Sequence, residues 1–148
     1  MPEVREIIFY GKSGDGGVHT VADQLVQRLI KQGFYVISYP EYDPERRETL
    51  AKIHVRVSKE PIHVRGPVMN PEIAVFLDVR LLRDNQEALG ARKIIVNSPS
   101  KELVTKYAGN VNGEVISINL SELRRAGVDY TTQVINLIID TLLNGYTR

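Results

Sequence analysis

The chain has no cysteine among its 148 residues. That absence excludes a disulfide, a thiolate zinc site, a cysteine-ligated iron–sulfur cluster and a cysteine nucleophile, so any redox centre this protein serves must lie elsewhere. Charge of one sign is lacking too: 19 basic residues against 18 acidic ones leave a formal net charge of +1, which gives no global field for nucleic acid. No apolar run approaches the roughly 18 residues of a membrane span. The amino terminus lacks a charged and then apolar secretory segment, so the expected compartment is the cytoplasm, without membrane or nucleic-acid contact. There is no internal repeat, low-complexity tract or linker. With 43% hydrophobic and 25% charged residues, the composition is that of a globular chain forming one domain over residues 1–148.

The most informative stretch is Gly11-Lys12-Ser13-Gly14-Asp15-Gly16-Gly17. Before it, Val4, Ile7, Ile8 and Phe9 form a buried-strand run; after it, Val18, Ala22, Leu25, Val26, Leu29 and Ile30 recur at helical spacing. A glycine-rich turn between strand and helix suits a phosphate, because glycine lets a ligand approach the backbone and the first helical turn offers free N–H groups. It equally suits a tight crossing whose glycines serve the backbone alone. The named motifs do not fit. Lys12-Ser13 follows the first glycine directly, unlike a Walker A loop, His19 stands where the dinucleotide fingerprint needs glycine, and Asp15 stands where a nucleophile elbow at Ser13 needs one. His19 is the best-placed titratable group, with Asp15 near it in sequence, but a lone histidine in a first helical turn is more often structural.

Further along, Gly33 marks a helix stop, and Tyr35 to Tyr39 reads as a second strand ended by Pro40, completing a βαβ unit. Glu41 stands where a dinucleotide fold would hold a ribose. Ile53, Val55 and Val57 alternate with His54 and Arg56, and Ile62 and Val64 alternate with His63 and Arg65. Across the turn Ser58-Lys59-Glu60-Pro61 this predicts a β-hairpin in which Val57 faces Ile62 and Arg56 faces His63. His54, Arg56, His63 and Arg65 would then form one solvated or partner-facing basic strip. A metal there is disfavoured by the arginines and the lack of a carboxylate, whereas an anion or acidic partner fits.

Ile73-Ala74-Val75-Phe76-Leu77 is the continuous apolar run of a strand covered on both faces, and Asp78 would cap a helix beginning near Val79. Lys93 to Asn97 repeats the buried-strand pattern. Ser98-Pro99-Ser100 opens a short helix carrying Leu103, Val104 and Tyr107, and Val115 to Ile118 reads as the last strand. A helical turn follows at Ser121-Glu122-Leu123. The last helix, capped by Asp129 or Thr131, runs through Leu143 and is apolar around much of its circumference, so it is buried in its own domain or against another chain. The expected fold is α/β: three layers, α/β/α, around a mostly parallel sheet with a β-hairpin insertion.

Several of these pieces fall in a familiar order. The strand and glycine loop from Ile8 to Gly17, Val21-Ala22 in the helix, Tyr39-Pro40-Glu41-Tyr42, Glu45-Arg46-Arg47, Val55-Arg56-Val57 with Pro61-Ile62, and the strand Ile73 to Asp78 together resemble the gamma subunit, or equivalent fused domain, of the 2-oxoacid:ferredoxin oxidoreductases such as pyruvate synthase. Ser13 stands where that family has its second glycine, Asp15 where glutamine is usual, and Glu48-Thr49 where Gly-Gly follows the arginine. The resemblance implies a subunit taking part in coenzyme A-dependent oxidative decarboxylation of a 2-oxoacid. It also implies partners: alpha and beta subunits holding thiamine diphosphate, a delta or beta component holding iron–sulfur clusters, and ferredoxin acting indirectly. The chain alone would bind none of these cofactors, would have no catalytic or metal-ligating residue and would be inactive. Its cofactor-facing residues would be Gly11, Lys12, Ser13, Gly14, Asp15, Gly16 and Gly17 with Glu45, Arg46 and Arg47, near the coenzyme A end of the shared site. Two alternatives stay open. One is a stand-alone nucleotide- or phosphoester-binding protein using Lys12 or Arg46-Arg47; the other is a non-catalytic assembly module, such as a homodimer through the last helix at Ile138.

Overall fold

The structure is a computed structural model that describes residues 4–12, 17–42, 50–66, 68, 70–83, 85–109, 111, 113–127 and 130–146. Six strands form one sheet: β1 (Arg5–Lys12), β2 (Tyr35–Tyr42), β3 (Leu50–Ser58), β4 (Ile73–Phe76), β5 (Lys93–Asn97) and β6 (Glu114–Ile118), in the order β2-β3-β1-β4-β5-β6. Strand β3 runs antiparallel to both neighbours, and the pairs β1–β4, β4–β5 and β5–β6 are parallel. The sheet is therefore mixed, with five strands pointing one way and β3 the other.

Alternation along β1 explains the layers. Ile7 and Phe9 point to one face, with α1 (Val18–Lys31) and α4 (Tyr130–Tyr146); Ile8 and Tyr10 point to the other, with Leu82, Ala88 and Val104. A strand covered on both faces reads as an unbroken apolar run, as β1, β4 and β5 do. Helix α1 buries Val18, Val21, Ala22, Leu25 and Leu29, the stripe its helical period requires. Gly33 at φ +91° ends it, with the Phe34 N–H returning to the Leu29 carbonyl at 3.1 Å. Helix α2 (Lys101–Ala108) begins at Ser100, whose side chain accepts from the Leu103 N–H, and α3 (Leu120–Arg125) begins at Asn119, which accepts from the Glu122 N–H. Gly113 enters β6 where a Cβ would sit 2.2 Å from the Ala91 carbonyl oxygen, so only glycine fits.

Four expectations need correction. The predicted hairpin partner at Ile62 and Val64 is not a strand: β3 instead forms its hairpin with β2, so Val57 pairs with Val36 and Arg5, and Arg56 with Ile37 and Glu6. The βαβ unit is split, because β3 inserts between β1 and β2. Strand β2 continues through Pro40 to Tyr42, which an edge strand tolerates because, among the described residues, one of its sides has no ladder to supply. The helix expected from Val79 is two short 3-10 turns, Val79–Leu82 and Gln86–Gly90, the first capped by Asp78 as expected. Helix α4 settles its own alternative by burying Val134, Ile135, Ile138, Ile139 and Leu142 in this domain, so Ile138 is core and not a dimer contact.

Candidate functional site

Parallel strands bring their carboxyl ends to one edge of the sheet, and the strand register defines that edge here. Lys12 pairs with Leu50, and Ala51 pairs with both Gly11 and Tyr42, so the chain leaves β1 and β2 and enters β3 side by side. Strands β1 and β2 therefore both end at this edge, where β3 begins. Ser13, Gly14, Asp15, Gly16, Glu45, Arg46 and Arg47 themselves lie outside the described residues. Gly11 and Gly17 are described and have different jobs. A Cβ on Gly11 would lie 3.2 Å from Cβ of both Leu77 and Val18, so its small size closes the packing of β1 against the start of α1. Gly17 precedes α1 in an extended conformation, and the first turn of α1 carries no acid. Its N–H groups and dipole present a favourable end to an anion. His19 is half-buried in that first turn.

The neighbouring strand ends are locked. The Leu77 N–H donates to the Tyr10 carbonyl at 2.9 Å, and Tyr10 stacks on Phe76 with ring centroids 4.4 Å apart. Asp78 accepts from the Arg80 backbone N–H at 3.0 Å and from its guanidinium at 2.7 and 3.0 Å, so this acid at the strand's end orders a turn. Asn97 donates to the Leu77 carbonyl at 3.1 Å and accepts from the Leu120 N–H at 2.9 Å, tying β4 to the start of α3. The sequence signal for Asn97 was only a polar residue ending a buried run.

A second constellation gathers residues that the sequence reading placed apart, in a basic strip and at a ribose position. His54 and Arg56 are buried in the sheet, 2% and 3% exposed, instead of forming a solvated strip with His63 and Arg65. The segment after β3 folds back over them. Arg56 donates to Glu6 at 3.0 Å and to the Gly66 carbonyl at 2.8 Å, and the Tyr39 hydroxyl donates to the same carbonyl. The Val68 N–H donates to His54 Nδ1 at 3.2 Å, which leaves Nε2 to carry the proton toward Glu41 at 3.4 Å. Burial holds the His54 pKa below the ordinary 6.5, with Lys52 and Arg56 adding to that and Glu41 opposing it. Glu41, the ribose candidate, thus sits within β2 against His54.

Among the described residues these features are structural supports around an edge. Among the described residues no group of three histidines or acids is placed to hold a metal, and no helix is long and apolar enough to cross a membrane. The family model described as pyruvate ferredoxin/flavodoxin oxidoreductase matches residues 6–144. The chain belongs to this family. Within the oxidoreductase family, a relative from Thermococcus kodakarensis called pyruvate/ketoisovalerate oxidoreductases common subunit gamma is 34% identical over 118 residues, covering 77% of this chain and 63% of the relative. Pyruvate synthase subunit PorC of Thermotoga maritima is 30% identical over 121 residues, covering 80% of this chain and 62% of the relative. This chain thus spans less than two thirds of each. The crystal structure of the pyruvate oxidoreductase subunit PORC of Thermotoga maritima shares the fold, with a TM-score of 0.65 and 24% identity across 82% of this chain and 65% of that one.

Proposed function

We propose that this oxidoreductase-family chain is a gamma-type subunit of a 2-oxoacid:ferredoxin oxidoreductase, working in coenzyme A-dependent oxidative decarboxylation inside the cell. The observation that carries the reading is the family match across residues 6–144, together with relatives whose names call them subunits of such enzymes. The donor chemistry of the chain agrees with a subunit role. It has no cysteine to ligate a cluster, and its described acids and histidines form no ligand set for the metal that would anchor a diphosphate. Thiamine diphosphate and the clusters would therefore belong to alpha, beta or delta partners, where they supply the carbanion and electron chemistry.

What this chain can offer is an anion-compatible edge. The start of α1 and the ends of β1 and β2 lie at the same end of the sheet, and that edge, with the Gly11–Gly17 and Glu45–Arg47 stretches next to it in sequence, would face the phosphate-bearing end of coenzyme A. Purification of the tagged chain from its source is expected to bring alpha- and beta-type subunits with it. That assembly should reduce ferredoxin or a viologen dye when given coenzyme A and a 2-oxoacid such as pyruvate. Turnover by the purified chain alone, or purification with no oxidoreductase subunit, would overturn the reading.

A further inference from the structure

Two kinds of bond hold the returning segment to the sheet. Gly66 is anchored through its carbonyl, to which Arg56 and the Tyr39 hydroxyl both donate, so a proton gained in acid removes neither bond. Two residues on, Val68 is buried in the cluster of Ile8, Tyr10 and Phe76, and its N–H donates to His54 Nδ1 at 3.2 Å. A backbone N–H can only donate, so this bond exists only while Nδ1 keeps its lone pair free of a proton. The ring itself is held in place, buried in the sheet with Tyr39 stacked on it at 4.8 Å between centroids.

We propose that His54 is an acid-operated latch: protonation at Nδ1 turns the acceptor of the Val68 N–H into a second donor and releases Val68 from the sheet, with Gly66 as the hinge. Both nitrogens of an imidazolium carry hydrogen, so no flip of the ring restores an acceptor. Gly66 sits at φ +90°, a conformation that glycine adopts without strain, and its two anchors survive the change. The groups around the ring set the direction. From β2, Glu41 lies 3.4 Å from Nε2 and favours the charged form. Along β3, Lys52 and Arg56 oppose it. From β1, apolar Ile8 stands opposite His54, with Glu6 engaged by Arg56 and Tyr10 beneath the Lys52 ammonium. Burial is the largest influence and also disfavours the charge, so the latch is shut at neutral pH and opens in acid. It belongs to this domain and is independent of the subunit role.

The test is a nitrogen-15 NMR titration of the full chain downward from neutral pH, following the imidazole nitrogens of His54 together with hydrogen exchange at the Val68 amide. Exchange is referenced to an unstructured chain at the same pH. Protection of the Val68 amide is expected to fall about tenfold with the midpoint of His54 itself, while the Ile95 amide in β5 keeps its protection. Three results would overturn the proposal: His54 titrates and Val68 stays protected, Val68 loses protection only together with Ile95, or Nδ1 stays unprotonated until the whole domain unfolds. His54→Asn gives a second measurement, because its short amide keeps an acceptor near the Nδ1 position and does not titrate. In that variant Val68 protection should not change with pH, and a fall like that of the unsubstituted chain would count against the latch. If the variant does not fold, the titration of the unsubstituted chain decides by itself.

Discussion

The two halves of the sheet solve the same packing problem in opposite ways. In the parallel half, β4 and β5 are covered on both faces, and Ile73, Ala74, Val75, Phe76, Ile94, Ile95 and Val96 are all at most 1% exposed. Stability there is apolar area, about 25 cal/mol for each Å² removed from water. In the antiparallel half, one face of β3 packs Ile53, Val55 and Val57 under the helices, while the other buries His54 and Arg56 beneath a returning segment. Cohesion on that face comes from aligned hydrogen bonds, each of modest net worth but costly to leave unmade. An apolar half tolerates little loss of volume, whereas a hydrogen-bonded one tolerates little loss of a partner.

Substitutions that remove volume from one half and partners from the other test this difference. Phe76→Ala deletes a fully buried ring stacked on Tyr10, and is expected to cost about 3–5 kcal/mol in urea unfolding. A loss below about 1 kcal/mol would mean that the parallel half can collapse around the cavity. Arg56→Ala removes one of the two donors to the Gly66 carbonyl and leaves half-buried Glu6 without its guanidinium, and is expected to cost about 2–3 kcal/mol, less than a fully buried pair because Glu6 can rehydrate. Hydrogen exchange should show faster exchange at the Val68 amide without acceleration in β4 or β5. Tyr39→Phe removes one donor to the Gly66 carbonyl while leaving Arg56 on it, so about 0.5–1.5 kcal/mol should be lost.

The gentlest probe changes only pH. His54 has a folded-state pKa below 6.5, so between the two values the unfolded chain binds more protons and stability rises with pH. Stability should fall as the solution is acidified from about pH 6.5 through the folded pKa. Part of that slope should vanish in His54→Gln. An unchanged slope in the variant would assign it to other groups.

The sequence was most legible where local pattern and tertiary burial ask for the same thing. The run Ile73 to Leu77, the helical stripe from Val18 to Leu29, the Ser100 cap and the turn ordered by Asp78 all appear where their residues place them. At the candidate edge, β1 ends at Lys12 and α1 begins at Val18, on either side of the glycine-rich stretch, but Gly11 owes its smallness to Leu77 and Val18 packing. Glycine is demanded equally by a ligand and by a neighbouring side chain, so composition alone does not separate them. Ile62 and Val64 misled for a related reason: alternation is compatible with a strand, but a ladder also needs a free edge, and both edges of β3 are taken by β1 and β2.

By itself, the sequence determined that this chain carries no cysteine, that its sheet has a doubly covered core, and that a glycine-rich stretch lies between β1 and α1. These follow from residue identity and from periodicities that any chain neighbourhood expresses. Tertiary structure decided that β3 enters between β1 and β2, that His54 and Arg56 face inward while His63 and Arg65 stay outside, and that α4 spends its apolar face on its own domain. Alternation tells that a strand has two unlike faces. Which face is covered, and by what, depends on contacts between residues far apart in the chain, and no local pattern encodes those.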